Sequence, residues 1–134
     1  MKLFLDTNIL IDLVAERKPF ARWAVKIFKD AHDQKWSLNT SSFSILTTHY
    51  MLEKHVGDAK SRELLKVLLN RVSVHAISED HLVHGLESNF RDYEDSVLYE
   101  CAKSCQNIDY IITRNIKDFR QSAIPVISPE ELYM

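Results

Sequence analysis

The strongest constraint on this chain is an alternation. Short apolar stretches are separated by longer segments of helical periodicity, and polar residues follow each stretch at once. Lys2-Leu3-Phe4-Leu5 runs apolar and stops at Asp6, the pattern of a parallel strand buried on both faces. Trp36–Asn39, Val72–His75, Asp109–Thr113 and Ile124–Ile127 read as further strands. The last is an edge strand, because it tolerates Pro125.

The segments between them predict helices. Ile9–Val14 is a short one, broken by Glu16, Arg17 and Lys18. After Pro19, the residues Phe20, Trp23, Ala24, Ile27, Phe28 and Ala31 recur at steps of three and one, which marks one face of an amphipathic helix. Thr40, Ser41 and Ser42 offer N-caps for a helix to about His55, and Gly57 ends it. Asp58 or Ser61 starts the next, and Ser78 opens another to about Ser88. Asp92 caps a later helix, with Asp95 three residues on in a capping-box-like arrangement. Strands alternating with such helices imply an α/β fold. The expected form is a three-layer α/β/α sandwich around a central parallel sheet of about four or five short strands. The length of 134 residues fits one domain, residues 1–134.

Composition removes several classes. With 17 Lys+Arg against 19 Asp+Glu the formal charge is −2, so the chain is no wholly basic nucleic-acid binder. Gly occurs 2 times, which disfavours all-β folds and excludes the glycine-rich turns of nucleotide-binding loops. Cys101 and Cys105 lie four apart on a helix, too far for a disulfide, and read as reduced core residues. His81 and His84 share a helix face without a third metal ligand in view. No apolar run is long enough to span a bilayer, and Asp6 interrupts any leader, so the cytoplasm is the expected compartment.

In open parallel sheets the site lies beyond the carboxyl ends of the strands. The residues there are Asp6-Thr7-Asn8, Thr40-Ser41-Ser42, the stretch Asp92 to Asp95, and Thr113-Arg114-Asn115 with Asp118. A carboxylate ending a buried strand must be paired, capped or bound to a cation. Capping explains Asp6 equally well. Asp92-Tyr93-Glu94-Asp95 sets three acids in four residues, more than a helix start requires. Oxygen donors converging on one edge suit Mg²⁺ or Mn²⁺, which acidify bound water and neutralise phosphodiester charge.

Phe4-Leu5-Asp6-Thr7-Asn8-Ile9-Leu10-Ile11-Asp12-Leu13 resembles the opening of a PIN domain. Asp92–Asp95, Tyr99, Ala102 and Asp109–Phe119 resemble its end, closest to the bacterial branch of VapC-type toxins. The resemblance implies a metal-dependent endoribonuclease with Mg²⁺ or Mn²⁺ as cofactor, acting on RNA. It also implies a toxin neutralised by a small antitoxin, and a homodimer. It assigns metal binding to Asp6, Asp95, Asp92 and Asn115, and catalysis to Asp6, Asp95 and Asp118. Asn8, Thr113 and Arg114 fall to substrate positioning, with Thr113 lining the site and Asn8 orienting the first acid. Arg17, Lys18, Arg22, Arg114 and Lys117 are candidates for phosphate contacts, and Tyr93 for stacking on a base. One departure stands out: Thr47 or Thr48 occupies the place where many members carry an acid. The alternative that follows from it is a PIN-like RNA-binding or protein-interaction module with weakened catalysis.

Overall fold

Leu3 and Leu5 point to one side of the first strand and Phe4 to the other, and this alternation sets the layers. The computed structural model describes residues 1–134. Its strands are β1 (Lys2–Leu5), β2 (Ser37–Ser41), β3 (Ser73–His75), β4 (Tyr110–Ile112) and β5 (Val126–Ile127). They form one parallel sheet in the order β3-β2-β1-β4-β5. The helices are α1 (Thr7–Val14), α2 (Ala21–Gln34), α3 (Ser42–Val56), α4 (Asp58–Leu69), α5 (Glu79–Glu87) and α6 (Tyr93–Ser104).

One core layer joins Leu3 and Leu5 to Ile9 and Leu10 of α1, Ala24, Ile27 and Phe28 of α2, and Leu65 and Leu68 of α4. The other joins Phe4 to Tyr99, Cys101 and Ala102 of α6 and to Phe119. Ile112 and Ile111 divide between the layers in the same way. Each fully buried Leu, Ile or Phe among them contributes roughly 1.5–3 kcal/mol. Helices thus cover both faces, as the alternation predicts. No helix is long and apolar enough to cross a membrane.

Local signals place most boundaries. Asp6 is the N-cap of α1, its carboxylate accepting from the Thr7 N–H. Ser41 caps α3 through its hydroxyl, which accepts from the Ser44 N–H at 3.0 Å. β2 runs two residues further than its apolar content predicts, because β1 and β3 pair with it on both sides and Ser41 lies opposite His75. α2 begins at Ala21, two residues after Pro19. The reciprocal capping box forms on α5, between Ser78 and His81, and not on α6. Asp92 accepts the Asp95 N–H at 3.0 Å, and the Asp95 carboxylate does not return the bond.

α5 and α6 approach closely at Gly85. A Cβ there would stand 2.8 Å from Ser96 Oγ and 2.9 Å from Val97 Cγ2. Gly85→Ala is therefore expected to cost about 1–3 kcal/mol by overpacking. A urea midpoint within error of the parent would show that the two helices separate freely.

Candidate active site at the carboxyl edge of the sheet

β1 and β4 are neighbours, so the residues that follow them meet. Asp6 is 4% exposed and Thr113 fully buried. Thr113 Oγ1 donates to Asp6 Oδ2 at 2.7 Å, and the Thr7 N–H donates to Oδ1 at 2.7 Å. Asn8 Nδ2 reaches Asp6 Oδ2 and Thr113 Oγ1, each at 3.3 Å. Both oxygens of Asp6 are thereby oriented. Burial nevertheless pushes its carboxyl above the ordinary range. The Thr113 and Thr7 bonds oppose that shift, while the charges of Asp118 and Asp92 add to it.

Asp95 is half-buried in the first turn of α6 and is pushed up to about 8. Burial is the main cause, followed by the charges of Asp6, Asp92, Asp118 and Glu94. Residues far apart in sequence therefore converge in one electrostatic cluster. Asn115 heads the 3-10 turn Ile116–Phe119, which holds Asp118. Its N–H donates to Thr113 Oγ1 at 3.0 Å, and its carbonyl accepts the Asp118 N–H at 3.0 Å.

Arg114 turns its guanidinium away from this cluster. Nε and Nη2 donate to Asp12 at 2.7 and 3.1 Å, and the guanidinium lies 3.8 Å from the centre of the Phe20 ring. Its backbone N–H faces the site, donating to Asn8 Oδ1 at 3.4 Å. Asp12 is 1% exposed and also accepts from Arg17 Nε at 3.0 Å. Sequence reasoning passed over Asp12 as a functional residue. The signal was there: a lone carboxylate within Ile9-Leu10-Ile11-Asp12-Leu13-Val14 must find a cation.

The start of α3 touches the site through hydroxyls. Thr7 Oγ1 donates to Ser44 Oγ at 2.8 Å, and Ser44 Oγ lies 3.0 Å from Ser41 Oγ. Thr48 is buried and donates to the Ser44 carbonyl at 2.7 Å, and Thr47 is half-buried beside it. The histidines of α5 serve structure. His81 Nδ1 accepts the Ser78 N–H, and His84 lies 4.0 Å from Glu100.

The sequence profile of the PIN domain matches residues 2–117. The chain belongs to the PIN-domain family. That match holds Asp6, Asn8, Asp92, Asp95, Thr113 and Asn115, and stops one residue before Asp118. The chain is 28% identical to Ribonuclease VapC1 of Aquifex aeolicus over 137 residues, covering 97% of this chain and 92% of that protein. Among solved structures it is similar to DNA-bound VapBC from Salmonella typhimurium. That likeness has a TM-score of 0.72 at 19% identity and covers 96% of this chain and 98% of the other. A toxin–antitoxin complex from Klebsiella pneumoniae gives a TM-score of 0.68 at 25% identity, covering 95% and 97%.

The acids of this PIN domain suit a divalent ion on their chemistry. Their donors are carboxylate oxygens, the ligands that Mg²⁺ and Mn²⁺ prefer. Their mutual repulsion, which adds to burial in raising Asp95, is what a bound dication relieves.

Proposed function

We propose that this PIN domain, residues 1–134 acting as one unit, is a Mg²⁺- or Mn²⁺-dependent endoribonuclease. On this reading it works in the cytoplasm as the toxin of a toxin–antitoxin pair. The observation that carries the reading is the convergence of Asp6, Asp92, Asp95 and Asp118, whose charges add to burial in lifting Asp95 to about 8. The ribonuclease relative and the VapBC complexes support the substrate class and the antitoxin partner.

Asp6 and Asp95 would hold the ion, with Asp92 and Asn115 beside them and Asp118 completing the catalytic set. Bound there, a divalent ion supplies Lewis acidity, lowering the pKa of water and offsetting charge on the phosphodiester. The chain's own part is orientation. Thr113 and Thr7 fix the two oxygens of Asp6, and Asn8 ties that carboxylate to the Arg114 backbone. Arg114 positions substrate through this loop, anchored by Asp12, while Lys117 is exposed on the turn that carries Asp118. Cys101 is buried and its thiol is pushed up to about 12, which removes it as a nucleophile. Water would attack phosphorus directly, with no covalent intermediate.

A second reading rests on Thr48, whose hydroxyl is spent on the Ser44 carbonyl where many relatives place an acid. It makes the domain an RNA- or protein-binding module with weakened catalysis. One experiment separates the two. The purified protein is incubated with a mixed RNA pool and Mn²⁺ or Mg²⁺, with EDTA as control. Cleavage that falls at least about 100-fold on chelation supports the nuclease. Metal binding without cleavage assigns the binding module.

A further inference from the structure

Outside the acidic cluster, α3 and α4 meet at a sharp corner. Gly57, at φ 83°, joins them directly, so Asp58 at the start of α4 returns over the last turns of α3. His49 and Glu53 lie one turn apart on α3 and face it. His49 Nε2 stands 3.5 Å from Glu53 Oε2 and 3.4 Å from Asp58 Oδ1, and all three ligand atoms lie within 4.8 Å of one another.

These spacings are longer than hydrogen bonds of about 2.7–3.2 Å. They match the edge of a tetrahedron around a cation held at about 2.0–2.1 Å, an edge of roughly 3.3–3.4 Å. The groups behind the ligands are ordered in the way metal sites require. His49 Nδ1 lies 2.8 Å from Ser61 Oγ, and Ser61 is fully buried. Arg62 Nε donates to Asp58 Oδ2 at 2.8 Å, which leaves Oδ1 facing the imidazole. One imidazole and two carboxylates form a donor set for Zn²⁺ or a similar transition-metal dication.

We propose that His49, Glu53 and Asp58 form a second metal site, which takes Zn²⁺ and staples α3 to α4 through one ligand pair on α3 and one ligand on α4. The staple stiffens one wall of the groove lined by Ile11, Met51, Val56 and Leu64. The site is independent of the nuclease reading, since it shares no residue with the acidic edge.

The test uses the full chain carrying Asp6→Asn and Asp95→Asn, so that the acidic edge does not compete for metal. Calorimetric titration with Zn²⁺ should give one site per chain. Co²⁺ in its place should give the intense visible absorption of four-coordinate cobalt. Adding His49→Ala or Asp58→Asn should abolish both signals, and Ser61→Ala should weaken Zn²⁺ binding about 10–100-fold. Asp58 is exposed, so Asp58→Asn keeps the test open if His49→Ala unfolds. No Zn²⁺ uptake by the parent at micromolar to millimolar free metal overturns the proposal and leaves a plain ion-pair network. Uptake that survives both His49→Ala and Asp58→Asn overturns it as well.

Discussion

Asp6→Asn and Asp95→Asn are each expected to cut RNA cleavage by about 10³-fold or more, and Asp95→Asn to make the ion-free protein more stable. The activity loss follows from removing a charged donor at the point where charge must be neutralised in the transition state. The stability gain follows from the raised Asp95 carboxyl. Folded Asp95 keeps its proton up to about pH 8, whereas in the unfolded chain the group titrates near its ordinary 3.8. Folding therefore takes up a proton between those values. Stability is greatest below about pH 4 as far as this group is concerned, falls as pH rises, and reaches its full penalty above about pH 8.

Asparagine removes that penalty. Asp95 is only half-buried, so solvent screening reduces the gain to about 1–2 kcal/mol at pH 8, or roughly 3–8 °C in melting temperature. At pH 4 the gain should nearly vanish. Mn²⁺ at a hundredfold excess over its Kd should stabilise the parent by about 2.7 kcal/mol and both variants far less. Melting scans in EDTA and in Mn²⁺ across this pH range check all of it. An Asp95→Asn variant less stable than the parent in EDTA at pH 8 would reject the repulsive cluster, and full activity in both variants would reject the site.

The second large effect belongs to Asp12. Asp12→Ala is expected to destabilise the fold by about 3 kcal/mol, because it leaves the partly buried Arg114 guanidinium without its carboxylate. The bidentate pair spans 102 residues of sequence, from α1 to the loop after β4. That loop carries Thr113, which orients Asp6, so cleavage should fall with stability. Arg114→Ala should cost less than Asp12→Ala, since Arg17 still pairs with Asp12. Arg114→Lys should restore little, because an ammonium cannot make the two parallel bonds. Urea unfolding reads the order of the three variants. A cost under about 1 kcal/mol for Asp12→Ala would show that the pair does not fasten the loop.

The match between sequence and structure is uneven for a physical reason. The caps at Asp6, Ser41, Ser78 and Asp92 and the break at Gly57 act within a few residues, and the chain spells them locally. The box on α5 was less legible, because His81 fills a place where a glutamate or glutamine is the usual signal. Arg114 reads from sequence as a free cation near the site. Its engagement by Asp12 depends on a partner 102 residues away that no local pattern names.

The kind of layer each segment enters follows from local patterning alone. Apolar stretches with alternating faces demand cover on both sides, and helical periodicity supplies it. Polar residues at the strand ends mark the edge where chemistry can sit. Tertiary structure alone decided the strand order, which sets β1 beside β4 and so joins Asp6 to Thr113. It also decided how high Asp95 is lifted, since burial and four neighbouring charges come from three separate segments. Propensity and patterning act over one or two turns of chain, whereas desolvation and Coulomb repulsion depend on distance through space.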